Sequence, residues 1–257
     1  MRADVFLVSG GYVQSRQQAK RMIEESCVVI DGRTVKKVSQ EIADGEHEVV
    51  LQELCPYVGR GGLKLEAALD AFGVSPLGKC ALDVGASTGG FTDCLLRRGA
   101  RRVYAVDSGS DQLATSLRTD PRVCSMEHCN ARYLERSAIP DEIDLVVMDV
   151  SFISATYLIP RFRDFLREGG DAICLIKPQF EVGRENLGKG GIVRDKRAHR
   201  LAVERVLSSG RESGLTPTHL IASPIAGGDG NKEFLVHFVC GEAADEVREA
   251  TIASVTG

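Results

Sequence analysis

Apolar positions along the chain follow two different rhythms. In the first, Ala19, Met22 and Ile23 recur at helical spacing behind Ser15, and Gln18 completes a capping-box pattern, so a helix is predicted from Ser15 onward. Residues 28–30 and 34–38 are short strand-like runs around Asp31-Gly32, a tight-hairpin signal because glycine tolerates positive φ. Residues 47–51 read as a third strand. These elements predict a small α+β unit over residues 1–55. Residues 56–63, Pro-Tyr-Val-Gly-Arg-Gly-Gly-Leu, break the pattern and read as a linker.

The second rhythm begins at Lys64, where Leu65, Ala68, Leu69 and Phe72 mark an amphipathic helix. Buried-type strands follow at 80–84, 102–106, 144–148, 172–176, 218–222 and 234–239. Helical segments are predicted at 88–98, 154–167 and 196–212. Such alternation predicts an α/β unit over 64–257 built on a mostly parallel, doubly wound sheet. Ligands of such folds bind at the carboxyl ends of the strands, near the switch in strand order.

Composition narrows the function. The 257 residues are 43% hydrophobic and 26% charged, an ordinary globular balance. The most apolar stretch, 143–160, is interrupted by Asp144 and Asp149, so no spanning helix is predicted. No secretory signal pattern opens the chain, and a cytoplasmic product is expected. The eight cysteines lack CxxC pairs; Cys124, His128 and Cys129 cluster only loosely, and no metal site is expected. Net charge is -4, so nucleic-acid binding has to come from local patches. One such patch is visible: six basic residues against three acidic ones between positions 16 and 37, followed by five acids and no Lys or Arg over 38–54. Arg16, Lys20 and Arg21 share a helix flank, which taken alone reads first as a solvated face.

Residues 82–91, Leu-Asp-Val-Gly-Ala-Ser-Thr-Gly-Gly-Phe, form an apolar strand, an Asp-x-Gly turn and a small-residue loop that opens a helix. Gly85 and Gly89 let a ligand approach the backbone, although packing alone also uses such glycines. Asp107 ends the next strand, where a carboxylate can take both hydroxyls of a ribose. The turn lacks both the dinucleotide G-x-G-x-x-G pattern and a Walker lysine. Lys64 opens a helix, Asp149 and Lys177 end strands, and Glu233 precedes the last strand. Asn130 is placed either to contact an adenine edge or to form a turn.

These motifs resemble known families. Arg2-x-Asp4-x-x-Leu7, Ser15-Arg16, Ala19-Lys20, Ile23 and Val29-x-Asp31-Gly32 resemble the S4 RNA-binding module. The Asp83 turn resembles motif I of S-adenosylmethionine-dependent methyltransferases, and Lys64-Asp149-Lys177-Glu233 resembles the tetrad of FtsJ/RrmJ-type ribose 2'-O-methyltransferases. The segments 59–65, 83–93, 149–154, 176–181 and 188–195 are together similar to the TlyA family, and the likeness runs through about Val239. The resemblance implies a Rossmann-like class I methyltransferase unit behind an S4-like domain. It implies S-adenosylmethionine held by Asp83, Gly85, Ala86, Ser87, Gly89, Gly90, Phe91, Asp107, Asn130 and Asp149, with Lys64, Asp149, Lys177 and Glu233 catalytic. It implies RNA contacts from Arg2, Arg16, Lys20, Arg21, Lys36, Lys37 and Arg60. The implied substrate is a cytidine ribose in ribosomal RNA, free or in ribosomal subunits, and no metal takes part.

In this reading Lys177 is the general base and has to be neutral when it acts, Asp149 orients it, and Lys64 and Glu233 hold the hydroxyl in line. Two segments depart from the family pattern: Glu24-Glu25-Ser26-Cys27, and residues 108–117, where Asp111 replaces a glycine and an aromatic is missing. With no Trp, 5 Tyr and 9 Phe, base stacking is not an evident strategy. Two other readings stay open here: an RNA-binding protein of little activity, and a membrane-active hemolysin, a historical label of the family.

Overall fold

A computed structural model describes residues 1–24, 27–51, 55–227 and 230–257. Contacts divide the chain into a unit of Met1–Pro56 and a unit of Tyr57–Gly257.

The first unit holds α1 (Ala3–Ser9), α2 (Arg16–Glu24), β1 (Val28–Ile30), β2 (Arg33–Thr34) and β3 (Val49–Leu51). Both ends of the capping box form: the Ser15 hydroxyl accepts the Gln18 amide, and the Gln18 side chain accepts the Gln14 amide. Asp31 and Gly32 both take positive φ, which turns β1 into β2. Ala3, Leu7, Ala19, Met22 and Ile23 pack on Val28, Ile30 and Val35 to make the core. The strands are shorter than alternation predicts. The Lys36 amide bonds the Gln40 side chain instead of a ladder partner, and His47 leaves β3 to bind Asp31 at 2.6 Å. Of the atypical segment at 24–27, Glu25 and Ser26 lie outside the described residues.

The second unit contains α3 (Gly61–Phe72), β4 (Cys80–Val84), α4 (Gly90–Arg97), β5 (Arg102–Val106), α5 (Thr115–Arg118), β6 (Val123–Met126) and β7 (Ile143–Met148). They are followed by β8 (Leu166–Ile176), α6 (Pro178–Glu181), α7 (Lys196–Glu212), β9 (Leu215–Ala222), β10 (Phe234–Cys240) and α8 (Glu249–Thr256). The sheet order is β6-β5-β4-β7-β8-β10-β9. The pairs from β6 to β8 are parallel, and β10 runs antiparallel to both β8 and β9. Every residue of β4 is buried, as expected of a central strand covered on both faces. Leu82, Val84, Val146 and Ile176 share one core with Ala202, Val206 and Leu207 of α7. On the opposite face Asp83 meets Thr92 of α4. Strand order reverses beside β4, so β4, β5 and β7 end together at the switch point. Among the described residues no helix is long and apolar enough to cross a membrane.

Three local outcomes depart from the pattern. The helix α3 starts at Gly61, inside the stretch read as a linker. Residues 154–167 form no α-helix but two 3-10 stretches, Ala155–Tyr157 and Ile159–Asp164, before β8 begins. Pro160 lacks the amide that a continuous helix needs there, and the Glu181 carboxylate takes up the Ala155 amide at 2.8 Å. Finally, β6 and the terminal α1 and α8 are not among the elements that periodicity picks out.

Candidate active site

Gly85 leaves β4 at φ +86, and a Cβ there would meet the main-chain oxygen of Asp149 at 2.5 Å. Glycine therefore allows the loop after β4 to lie against the end of β7. The Asp149 amide completes this contact by donating to Val84 O at 3.0 Å. On the other side, the Asp107 carboxylate accepts the Ser87 amide at 2.8 Å and the Gly109 amide at 2.7 Å.

Two clefts open along this line. The larger, of about 540 Å³, is lined by Gly85, Ser87, Asp107, Gln112, Asn130 and Asp149, with Val106, Ile153 and Leu158 as apolar wall. The smaller, of about 260 Å³, is lined by Gly59, Arg60, Gly61, Ala86, Gly90, Phe91 and Lys177. Gly85, Ser87, Asp149 and Ser151 line both, so the clefts meet at the Asp149 carboxylate. There Lys177 Nζ pairs with Asp149 Oδ1 at 2.6 Å and donates to Ser151 Oγ at 2.8 Å.

The chemistry of the larger cleft fits a nucleoside. A carboxylate offers about four acceptor sites. Backbone amides occupy two of those on Asp107, which leaves capacity for two ribose hydroxyls. Asn130 proves to be a turn former as well as a wall residue: its side chain accepts the Arg132 amide at 3.0 Å while it faces the cleft.

The remaining candidates lie elsewhere. Lys64 and Glu233 line neither cleft; they form a buried ion pair of 2.5 Å between α3 and the residue before β10. Gly89 packs against Leu113 and Leu117. Asp111 lines neither cleft: its carboxylate pairs with Arg118 at 3.0 Å, and its φ of +53 explains why glycine suits the position. Gln112, Ser151 and Phe152 line the larger cleft without having been singled out individually in the sequence. In the first unit Arg2 and Arg16 both bind the buried Asp4 carboxylate, whose pKa their hydrogen bonds lower to about 2. Lys20 stands 3.7 Å from Glu24, and Arg21 bonds Cys55 O, whereas Lys36 and Lys37 are exposed.

Asp83 is fully buried beneath the loop, holds the Thr92 hydroxyl at 2.6 Å and lines neither cleft. Burial pushes its carboxyl up from 3.8 to about 7, and the nearby Asp149 and Asp107 charges push the same way. Its folded-state pKa is raised, so its stabilising contribution is complete below about 3.8 and is lost as pH rises through about 7. Asp83→Asn is therefore expected to gain stability over the native chain as pH rises across that window. Urea midpoints at pH 5 and pH 8 test this; an equal difference between variant and native chain at both pH values refutes it.

Comparisons with known proteins agree with this chemistry. The model of the FtsJ-like methyltransferase family matches residues 57–240, and the S4 domain model matches residues 1–47. The 16S/23S rRNA (cytidine-2'-O)-methyltransferase TlyA of Mycobacterium tuberculosis is 42% identical across 91% of this chain and 88% of its own. Hemolysin A of Brachyspira hyodysenteriae is 42% identical across 93% of this chain and 100% of its own. A solved structure from Streptococcus thermophilus, described as a hemolysin candidate, has a TM-score of 0.79 and 41% identity, covering 100% of this chain and 94% of the other.

Proposed function

Since the chain belongs to the FtsJ-like methyltransferase family, we propose that it methylates a ribose 2'-hydroxyl, that of a cytidine, in ribosomal RNA. The observation that carries this reading is the meeting of two clefts at Asp149 with Lys177 on the smaller side. The larger cleft suits the nucleoside portion of S-adenosylmethionine, and the smaller one suits the target ribose. S-adenosylmethionine supplies a methyl group made electrophilic by its sulfonium.

Asp107, Asn130 and the loop at 85–87 hold the nucleoside end. Asp149 fixes Lys177 and faces the junction where the methyl group passes. Lys177 in its amine form takes the proton that the 2'-hydroxyl loses as the new bond forms. Lys64 and Glu233 complete the set by fixing the first turn of α3, from which Gly61 reaches the smaller cleft beside Arg60. The S4 unit adds phosphate contacts through Lys36 and Lys37, with Lys20, Arg21, Arg2 and Arg16 retaining only the donors their internal partners leave. Assembled ribosomal subunits as well as naked RNA are proposed substrates. The name hemolysin carried by relatives is a historical label.

The test is transfer of labelled methyl from S-adenosylmethionine to isolated subunits and to naked ribosomal RNA, followed by nucleoside analysis. Label recovered as 2'-O-methylcytidine is expected. Label on a base, or none on any ribosomal RNA despite cofactor binding, would discard the proposal.

A further inference from the structure

We propose that residues 184–197 form a strap by which the methyltransferase unit grips the RNA phosphate backbone beside its cleft, an inference that rests on the reading above. Arg184, Lys189, Arg194, Lys196 and Arg197 are all exposed, and among the described residues none forms an ion pair. Glu185 and Asp195 are the only acids in these 14 residues, and the Asp195 carboxylate is engaged by the Arg197 amide at the start of α7. Other arginines of the unit are mostly paired: Arg98 with Asp70, Arg122 with Asp120, Arg167 with Asp144. A chain of net charge -4 that gathers five unpaired cations in one segment carries a repulsion that a polyanion relieves.

The backbone of the strap is fixed from beneath. Asn231, 1% exposed, accepts the Val193 amide at 2.9 Å and donates to Gly191 O at 3.2 Å. The ring of His199 bonds Val193 O at 3.0 Å, and Asn186 donates to Val182 O at 2.7 Å. Several backbone polar groups of the strap are thus met internally while the cationic ends face solvent, a preorganised arrangement for phosphate. Its position is equally specific. The strap follows α6, which itself starts directly after Lys177, and Asn231 precedes β10, whose Phe234 pairs with Ile176 of β8. It is therefore anchored at the sheet edge where the clefts open. Phe180 of α6 also packs on Phe152 of the cleft wall, with ring centroids 5.4 Å apart.

The full chain carrying Arg184→Ala, Lys189→Ala and Arg194→Ala is compared with the native chain in ribosomal RNA binding across a salt series. Each phosphate contact contributes about 0.7–0.9 to the slope of log affinity against log salt. Loss of three should shrink the slope by about 2–3 and weaken binding on the order of 100-fold near ~0.1 M salt. The KM for RNA should rise while kcat and S-adenosylmethionine affinity stay unchanged. The variant Arg184→Lys, Lys189→Arg, Arg194→Lys should keep the native slope. An unchanged slope in the alanine variant overturns the strap. So does an unchanged RNA slope accompanied by lost binding to phosphatidylglycerol vesicles, which would assign the cations to a membrane surface. If the native chain transfers no methyl to RNA, the methylation reading fails instead, and the slope comparison separates the two failures.

Discussion

Lys177→Ala is expected to abolish methyl transfer to RNA while leaving S-adenosylmethionine affinity essentially intact. The separation follows from where the side chain stands. Lys177 lines the smaller cleft and is absent from the wall of the larger one, where the nucleoside end is held. Its Nζ lies between Asp149 Oδ1 at 2.6 Å and Ser151 Oγ at 2.8 Å, two of the residues that line both clefts. A ribose hydroxyl is a weak nucleophile until its proton is taken, and a positioned base contributes about 10²–10⁴-fold. Removing the amine removes that contribution and also frees the Asp149 carboxylate, so the loss in kcat should reach the upper end of the range.

Charge alone has to be separated from proton transfer. Lys177→Arg keeps a cation beside Asp149 but stays protonated at any working pH. If Lys177 is the base, the arginine variant should be nearly as inactive as the alanine variant. Turnover close to native in Lys177→Arg would reduce the lysine to an electrostatic partner of Asp149. Loss of cofactor binding in Lys177→Ala would move its role to the larger cleft.

The parts of this site that could be read in advance are those that the strands carry. A buried parallel strand is an unbroken apolar run, so the charge that ends it marks the sheet edge; Asp107, Asp149 and Lys177 were legible for that reason. Ser151 and Phe152 were harder, because their place depends on a loop path in which Phe152 takes φ +66. The segment 154–167 misled because its apolar spacing is helical, yet Pro160 and the distant Glu181 carboxylate decide its conformation. The start of β8 was hidden by Arg167-Glu168-Gly169-Gly170, a polar irregularity in its pairing with β7. In the first unit, the basic helix flank was legible but its neutralisation was not. Asp4 lies 12 positions before Arg16, and only the packing of α1 on α2 brings the two together. Lys189 and Arg194 of the strap lie in the segment 188–195 that carries the family likeness, but no helix or strand period organises the strap's cations, and their lack of ion-pair partners is a property of the folded chain.

The pairing of Lys64 with Glu233 spans 169 positions, and spacing gives no hint of it. Its energetics lead to a second large effect. The two side chains are 9% and 2% exposed and 2.5 Å apart, so each charge depends on the other for compensation. Removing one partner of such a pair typically costs about 3–5 kcal/mol, whereas replacing both by apolar groups of similar volume is often neutral. Lys64→Met and Glu233→Leu are each expected to lower stability by about that amount in urea unfolding. The double variant is expected to recover most of it, because no uncompensated buried charge remains. Activity should not follow stability. If the ion pair fixes the first turn of α3 at the smaller cleft, the refolded double variant loses that fixed turn, and kcat should stay depressed by about 10²-fold, a loss expected of misplaced reacting groups. S-adenosylmethionine affinity should be near native, since neither residue touches the larger cleft. A double variant that regains both stability and full turnover would make the pair a structural tie alone and leave Asp149 and Lys177 as the working groups of the site.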